Sequence, residues 1–501
     1  MRLFIPPMIR LLGRLALVMP ISMLTSSAFA QQTVPYIQVS AGGFKSMALR
    51  ADGTLWAWGA NSDGELGIGD PTSASIATPR QIALPNGLPP GSTWAQVACG
   101  TSHALAVASN GSLWAWGNNG YGQLGTGSTG RGFSSRPMPV VAPAGTRWQQ
   151  CAAGNLLSLG IQTDGTLWQW GKDPASISGS WYETPRQVVA PGDGPGTRWT
   201  QVSGGYYHML ALRSDGTLWG WGVNQYGEVG DGTQTRRYSP VAVPVPAGAP
   251  AGAYWVQATA GRLFSLGLLS TGTLYGWGWN VNGVLADHTS TLQPVPLPLP
   301  ANAAPGTGWR QVHAGVAHAT AILTDGSLWT WGENVYGQLV NNTQTVPLAP
   351  TREATNGVWA QVSGGHVHTL AIGADGSVYA GGAERAPGPD PTNYWNRGQL
   401  GNGSYNGSLV LRRTLAVTLG RRKASQTAYQ VYPNPAHQWL TVEGLPVRAT
   451  LKLTTTLGQP VLTQSASRLT RLNLGNVAAG SYLLTIETDN APPQTLRVVV
   501  E

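Results

Sequence analysis

This 501-residue sequence is poor in charge and nearly free of cysteine. Asp, Glu, Lys and Arg make up 10% of its residues, and Cys99 and Cys151 are its two cysteines. So few cysteines exclude a disulfide-built scaffold, and the chain is long enough to bury a core without one. An oxidising compartment would permit one bridge, but free cysteine packs as a small hydrophobe, so we expect two unbridged thiols.

Motifs for catalysis and cofactor binding are also missing. The sequence has no phosphate loop ending in Gly-Lys-Ser/Thr, no His-Glu-x-x-His and no nucleophile–His–acid string. Asn61–Glu65 and Asp70 resemble a calcium loop faintly but lack its alternating oxygen ligands. We therefore expect no catalytic residue, metal or cofactor, although residues from distant segments can still converge on a composite site.

A basic folded domain is lacking as well, despite the net charge of +8. Residues 31–411 contain 17 Lys and Arg against 18 Asp and Glu, which is a net charge of −1 (17 − 18). A nucleic-acid-binding domain carries a basic face, so we expect no nucleic-acid partner. Part of the positive charge lies in a short cluster between the repeats and the tail, namely Arg412, Arg413, Arg421, Arg422 and Lys423. We interpret this cluster as a solvated or protease-sensitive joint, with the linker itself at 419–428.

Only the N-terminus contains a long apolar run. Residues 1–30 combine Arg2, Arg10 and Arg14 with the apolar Leu15–Leu24 and the small-residue site Ala28-Phe-Ala30. This order is typical of a secretory signal peptide, and its apolar core is too short to span a bilayer. We therefore expect export to the periplasm and no membrane span.

Most of the remaining chain is one repeated pattern. A leading Tyr or Trp recurs at intervals of 50 to 58 residues, followed by Gly-x-x-His, Asp-Gly-x-Leu-Trp-x-Trp-Gly and Gly-Gln-Leu-Gly in the clearest copies. The leading residues are Tyr36, Trp94, Trp148, Trp199, Trp255, Trp309 and Trp359. Seven copies at a nearly fixed period indicate stacked or radial units.

The runs within each copy are typical of β-strands. They are short, rich in Val, Leu, Ala and Trp, and separated by Gly or Asp-Gly turns. A fourth run contains proline, as in Thr78–Leu84 and Thr184–Ala190, which favours an edge strand. The pattern predicts an all-β, seven-bladed propeller of four-stranded blades at 31–418. We further expect Ser408–Val417 to pair beside the first strand, at Tyr36–Val39, and so close the ring.

These motifs resemble the regulator-of-chromosome-condensation repeat over residues 36–418. Copy three departs from it at Lys172–Arg186, copy five at Gly283–Ala286, and copy seven at Tyr379–Gly382 and Glu384–Tyr394. The resemblance implies a propeller. Its founding member is a guanine-nucleotide exchange factor that binds chromatin, but neither partner would be met outside the cell. Light sensing in the family depends on a Gly-Trp-Arg-His-Thr string, which is absent here.

The tail has a different pattern of alternating strands and turns, which predicts a small β-sandwich at 429–501. It resembles the type A C-terminal sorting domain of the type IX secretion system. The matching residues are Tyr432, Pro433, Asn434, Pro435, Gly458, Gly480 and Tyr482. The resemblance implies recognition by the secretion machinery, removal of the tail, and release or attachment at the outer-membrane surface.

Histidine recurs at one position of the repeat, namely at His103, His208, His318 and His368. A ring of imidazoles could suggest a metal site. However, radially repeated positions diverge in space, and metal-bound histidines need orienting partners that this spacing does not reveal. We interpret these four as repeated structural residues.

Two irregular segments contain candidate ligand-binding aromatics, because loops on a rigid scaffold commonly bind and Trp and Tyr are favoured anchors. The candidates are Trp181, Tyr182, Tyr394 and Trp395.

We expect an exported, monomeric, non-enzymatic module that binds an extracellular protein or glycan. Inhibition of a partner enzyme would be one concrete form. A secreted hydrolase or lyase with a composite site is the alternative, and converging carboxylates in a central pocket would favour it. Nucleotide exchange or chromatin binding by family analogy is the most remote hypothesis.

Overall fold

A computed structural model describes residues 34–127, 132–143, 145–176, 179–194, 196–280, 282–286, 291–347, 349–383, 396–415, 430–443, 445, 448–455, 459–467, 469–488 and 491–501. Two compact units divide between Leu415 and Ala416. The signal peptide predicted at 1–30 and the linker predicted at 419–428 lie outside the described residues. Within the described part, no helix is long and apolar enough to cross a membrane.

The first unit contains seven sheets of four strands each, described here as blades one to seven. Blades one to three are β1 (Tyr36–Ala41), β2 (Lys45–Arg50), β3 (Leu55–Ala60) and β4 (Ser75–Ile82); β5 (Trp94–Cys99), β6 (His103–Ala108), β7 (Leu113–Asn118) and β8 (Phe133–Pro139); and β9 (Trp148–Ala153), β10 (Leu157–Gln162), β11 (Leu167–Lys172) and β12 (Trp181–Val188).

Blades four to seven follow the same order. They are β13 (Trp199–Gly204), β14 (His208–Arg213), β15 (Leu218–Gly222) and β16 (Arg237–Val243); β17 (Trp255–Ala260), β18 (Phe264–Leu269), β19 (Leu274–Gly278) and β20 (Thr291–Pro296); β21 (Trp309–Ala314), β22 (His318–Leu323), β23 (Leu328–Gly332) and β24 (Thr351–Arg352); and β25 (Trp359–Gly364), β26 (His368–Gly373), β27 (Val378–Gly382) and β28 (Ser408–Arg413).

Each blade is an antiparallel meander in which the strands pair in chain order. The first strand of each blade contacts the first strands of both neighbouring blades, and β25 contacts β1. The seven sheets therefore form a closed ring with the first strands innermost. The predicted all-β propeller with four-stranded blades is confirmed.

A local hydrogen-bond network explains the Asp-Gly-Thr-Leu-Trp spacing. In blade one, Asp52 Oδ1 accepts bonds from the backbone N–H and the hydroxyl of Thr54, and that hydroxyl accepts the indole N–H of Trp56 at 3.1 Å. Gly53 between them has a φ of 75°, which favours glycine. The motif thus builds the turn between the second and third strands and orients the first Trp of the pair.

The expected ring closure by strand exchange is wrong. Strand β28 pairs with β27 of its own blade, through Tyr379↔Arg413 and Ala380↔Arg412, while β1 pairs with β2. Hydrogen bonds between the two blades close the ring instead: Val39 N donates to Gln361 Oε1 at 2.7 Å, Ala41 N donates to Ser363 Oγ at 3.0 Å, and Tyr36 N donates to Gly376 O at 2.8 Å. Because every copy supplies a complete four-stranded blade, no strand is left over to be exchanged.

Proline lies in the outer strands, as its missing N–H requires. Strands β4, β8, β12, β16 and β20 contain proline, and all of them form the edge of their blade. Blade six ends in a two-residue strand, and the fourth strand of blade seven, β28, contains no proline.

The second unit consists of two antiparallel sheets. Strands β29 (Gln430–Tyr432), β30 (Trp439–Glu443) and β33 (Leu469–Asn473) form one sheet; β31 (Ala449–Thr455), β32 (Pro460–Ala466), β34 (Gly480–Thr488) and β35 (Ala491–Val500) form the other. Leu440, Leu451, Leu484 and Val498 are fully buried in its core.

The Tyr-Pro-Asn-Pro opening of this unit contacts its last strand. Asn434 Oδ1 accepts a bond from Val499 N at 2.8 Å, and Ala436 N donates to Val499 O at 2.8 Å. Tyr482 lies on β34 and donates its hydroxyl to Ala478 O at 2.7 Å. Gly480 begins that strand, whereas Gly458 lies outside the described residues. The opening motif and the C-terminus therefore form one structural element.

Candidate functional site

The central channel is the first place where a ligand could bind. It encloses about 300 Å³ and is lined by the innermost strands of all seven blades. Each strand contributes a glutamine from the Trp-x-Gln motif, at Gln38, Gln96, Gln150, Gln201, Gln257, Gln311 and Gln361. None of the described lining residues is an Asp or a Glu. Converging carboxylates, which would favour a hydrolase or lyase, are therefore not found among them.

Most of these glutamines are used to join blades. Gln96 donates its amide to Cys151 O at 3.1 Å and accepts from Cys151 N at 2.7 Å, both in the next blade. Gln38 makes the same pair of bonds to Val97, and Gln257 makes it to Val312. The polar groups of Gln38, Gln96 and Gln257 are thus already satisfied by protein, so these parts of the channel wall are better suited to holding the ring together than to recognising a ligand. The sequence contained the repeated Gln but gave no signal of its role.

The four repeated histidines lie between blades and are fully buried. Their Nε2 atoms are hydrogen-bonded to a hydroxyl of the following blade: His103 with Ser158 at 2.9 Å, His208 with Ser265 at 2.8 Å, His318 with Thr369 at 3.1 Å, and His368 with Ser46 at 3.0 Å. Each hydroxyl in turn donates to a backbone carbonyl of the preceding blade, as Ser158 does to Gln123 O at 2.7 Å.

Where a blade lacks this histidine, the blade that follows it lacks the matching hydroxyl. Leu157 and Phe264 occupy the position in blades three and five, and Met209 and Ala319 stand in the next blades where a Ser or Thr would be. In blade one, Lys45 donates its buried ammonium to Gly100 O at 2.7 Å and Thr101 O at 2.9 Å. The sequence did contain a signal for the histidine contacts, namely the Ser or Thr at the matching position of the following copy.

Burial lowers the pKa of each of the four histidines to about 3. They are therefore neutral at physiological pH, and neutral imidazole can ligate a metal. Among the described residues, however, no group of three or more His, Cys, Asp or Glu side chains is placed to hold a metal ion. Asp70, in the faintly calcium-like loop, accepts bonds from Thr72 and Ser73.

Both cysteines are free thiols. Cys151 is buried and Cys99 is half-buried, and burial raises the pKa of both. A raised pKa keeps a thiol protonated and unreactive, so neither is suited to nucleophilic catalysis.

A larger pocket lies between blades three and four, on the face that carries the turns between first and second strands. It encloses about 530 Å³. Its lining includes Tyr206, Tyr207, Tyr226, Lys172, Arg236 and Asn155. We call it the tyrosine pocket. A volume of this size falls in the range of about 300–1,000 Å³ that is typical of small-ligand sites.

The irregular sequence of blade three borders this pocket. In regular blades a loop with Gly-Gln-Leu-Gly or a close variant of it, such as Gly227-Glu-Val-Gly230 in blade four, follows the third strand. Blade three has only the short segment 173–180 between β11 and β12. Asp173, Pro174, Ser176 and Gly179 from that segment line the pocket. Blade four keeps its full loop, which supplies Tyr226 and Arg236. One side of the pocket thus comes from a shortened blade and the other from a regular one.

Trp181 and Tyr182 lie on the edge strand β12 and not in a loop, because they pair with Lys172 and Gly171 of β11. Trp181 is 42% exposed and packs edge-on against Tyr121, with ring centroids 6.4 Å apart. The Lys172 ammonium lies 5.1 Å from the centroid of the same Tyr121 ring, which links Trp181 to the border of the tyrosine pocket.

Tyr182 is half-buried beneath the Arg186 guanidinium, 4.2 Å from the ring centroid. The structure therefore brings Trp181 close to the tyrosine pocket and leaves Tyr182 in the sheet. Tyr394 and Trp395 lie outside the described residues.

Other aromatic residues extend this face beyond the pocket. Tyr226 packs against Trp279 with centroids 5.8 Å apart, and Tyr206 packs against Tyr207 at 5.9 Å. The Arg262 guanidinium lies 5.9 Å from the Tyr206 centroid. The sequence offered no sign of this cluster, because its members come from two different copies.

The chain is similar in sequence to several proteins of known identity. It is 29% identical over 312 residues to the Ultraviolet-B receptor UVR8 of Arabidopsis thaliana, covering 60% of this chain and 66% of the relative. It is 32% identical over 258 residues to the Probable E3 ubiquitin-protein ligase HERC6 of Homo sapiens, covering 50% of this chain and 24% of that protein. The chain thus spans less than two thirds of either relative.

Solved structures show the same fold. Human WBSCR16 superposes with a TM-score of 0.61 at 23% identity, covering 68% of this chain and 87% of that one. Prp20p of Saccharomyces cerevisiae superposes with a TM-score of 0.60 at 19% identity, covering 77% and 90%.

Family models match both parts of the chain. Residues 13–306, more than half of the chain, match the RCC1-like domain, and residues 309–338 and 325–372 match the Regulator of chromosome condensation (RCC1) repeat. Residues 430–501 match the Secretion system C-terminal sorting domain, which indicates secretion through the type IX system or attachment at the outer-membrane surface. The chain belongs to the RCC1-like domain family and ends in a secretion sorting domain.

Proposed function

We propose that this protein is an exported, non-enzymatic binding module that recognises an extracellular protein or glycan through the tyrosine pocket and the aromatic residues beside it. The observation that carries the proposal is a concave site of about 530 Å³ with three tyrosines and two cationic side chains. Tyrosine combines a large apolar surface with a polar tip, which suits a binding surface.

The channel supports this proposal by contrast. An enzyme of the hydrolase or lyase class would require an acid and a base at the reacting bond. The described channel lining has no carboxylate, and Asp173 is the one Asp or Glu among the described residues that line the tyrosine pocket. Its Oδ1 accepts the backbone N–H of Ala175 at 2.9 Å, so it supports the local turn.

Nucleotide exchange and chromatin binding rest on family analogy, and fold alone does not carry function. The sorting domain takes the chain out of the cell, where neither partner occurs. The ligase activity in the name of HERC6 belongs to a protein of which this chain spans 24%.

The test measures binding and turnover together. The full-length chain is immobilised and exposed to polysaccharide and protein fractions from the medium of the native host. We expect saturable binding. Its affinity should fall at least tenfold in Tyr226→Ala and should be unchanged in Tyr336→Ala, which alters the same loop position in blade six. The bound material should keep its mass over time.

Two outcomes would contradict the proposal. Progressive shortening of the bound material would show an enzyme. Equal binding by both tyrosine variants would place recognition on another surface.

A further inference from the structure

We propose that the tyrosine pocket takes an acidic oligosaccharide, one that carries carboxylate groups on its sugar rings. This inference rests on the proposed function and specifies its ligand. The pocket combines two features that such a ligand needs, namely aromatic rings for the sugar faces and cations for the carboxylates.

The cationic groups of the pocket are available to a ligand. Among the described residues, neither Lys172 nor Arg236 forms an ion pair with a carboxylate. The neighbouring Arg237 differs, because its guanidinium pairs with Asp231. Arg236 instead donates to Ser176 O at 3.4 Å, a long and weak bond. A bound carboxylate would give both cations the charge-assisted partner that the protein does not supply.

The single carboxylate of the lining does not cancel this charge. Asp173 accepts from Ala175 N at 2.9 Å and from the Tyr182 hydroxyl at 3.4 Å. With Lys172, Arg236 and Asp173 ionised, the described lining carries a net charge of +1 (2 − 1). An anionic ligand is therefore favoured over a cationic one.

The aromatic and amide groups favour a sugar over a peptide. Tyr206, Tyr207 and Tyr226 line the pocket with aromatic rings, the kind of surface on which the C–H faces of pyranose rings pack. Asn155 and Gln225 add amides that both donate to and accept from hydroxyl groups. A protein partner would need an interface of about 1,000 Å² or more, whereas this site is a pocket of about 530 Å³.

The experiment compares matched ligands by isothermal titration calorimetry on the full-length chain. The probes are tetrasaccharides of galacturonic, glucuronic and mannuronic acid, the neutral methyl esters of the same sugars, and hexaglutamate. We expect at least one acidic tetrasaccharide to bind. Its methyl ester should bind at least about tenfold more weakly, and the affinity of the acidic form should fall as the salt concentration rises.

Variants then assign the site. Lys172→Gln and Arg236→Gln should each weaken binding of the acidic tetrasaccharide about tenfold and leave the weak binding of its ester unchanged. Tyr226→Ala should abolish both, and Tyr336→Ala should change neither. Thermal unfolding of each variant checks that the propeller remains folded.

Three results would overturn the inference: no acidic tetrasaccharide binds, an ester binds as tightly as its acid, or the charge variants bind normally. If hexaglutamate binds instead and Tyr226→Ala abolishes it, the acidic-sugar inference is wrong while the proposed binding function stands. If the proposed function itself is wrong, binding of every probe survives Tyr226→Ala.

Discussion

At the scale of single residues, the four repeated histidines follow a rule that extends over two copies. When a blade has His at this position, the next blade has Ser or Thr at the residue that directly follows the same position. When a blade lacks this His, the next blade has Ala or Met there. We propose that these histidines are structural, because each is buried and bonded across a blade junction. Replacing one partner alone would leave a buried polar group unsatisfied.

The burial of these imidazoles predicts acid sensitivity. Their pKa is about 3 in the folded protein, below the value of about 6.5 for an unfolded chain. Their contribution is present above pH 6.5 and is lost progressively as the pH falls towards 3, because the unfolded state binds the proton more tightly. We expect each histidine to lower the free energy of unfolding by on the order of 1–2 kcal/mol between pH 7 and pH 5. Chemical denaturation at both pH values measures the loss.

A natural pair in the chain supplies the control. The double variant His103→Leu/Ser158→Met copies the apolar Leu157–Met209 arrangement and removes one titrating group. It should lose less free energy of unfolding between pH 7 and pH 5 than the unaltered protein does. An unchanged difference between the two pH values would show that His103 is not responsible.

At the scale of the strand and loop, the second Gly of the Gly-Gln-Leu-Gly loop is explained by an indole of the next blade. Gly125 has a φ of 66°, and a Cβ there would lie 2.7 Å from Trp170 Nε1. That Nε1 donates to Gln123 O at 2.9 Å, so the loop and the following blade interlock. We expect Gly125→Ala to lower the free energy of unfolding by about 2–3 kcal/mol, through left-handed strain and the clash, as measured by urea denaturation.

Blade five already carries a non-glycine at the equivalent loop position, where Ala286 has a φ of 61°. Ala286→Gly relieves the left-handed strain but gives the unfolded chain more freedom, so its net effect should stay within about 1 kcal/mol. If Gly125→Ala were equally mild, close packing on Trp170 would not explain the glycine.

The channel glutamines predict a second effect at this scale. Gln96→Leu removes both bonds to Cys151 and leaves a backbone N–H and C=O without a side-chain partner. We expect a loss of about 2 kcal/mol in the free energy of unfolding.

Gln150 is the matched control, because its buried Oε1 has no hydrogen-bond partner among the described residues. Gln150→Leu should cost less than about 1 kcal/mol. Equal losses in urea denaturation would mean that the inter-blade bonds do not contribute.

At the scale of the whole molecule, the sorting domain predicts the path of the protein. Deletion of residues 430–501 should retain the propeller in the periplasm, because the recognised domain is gone. The protein expressed without this deletion should be found on the surface or in the medium. It should have lost residues 1–30 and the segment after about 425 by processing. Intact-mass measurement of outer-membrane, periplasmic and medium fractions tests this. Export of the deleted form would contradict it.

The sequence alone determined the blade count, the strand order and the sorting tail. Repeated local signals, such as Asp-Gly turns and Trp spacing, describe turns and buried strands that form within one copy.

Only the tertiary structure decided what joins the copies. The partners of Gln96, His103 and Trp170 lie in a neighbouring blade, and the ring closes through Gln361 and Ser363 without strand exchange. The tyrosine pocket depends on the same cause, because Lys172 and Tyr226 come together only when blades three and four pack. A sequence pattern within one copy cannot specify contacts between different copies. The closed ring decides these contacts, because it places every blade against both neighbouring blades.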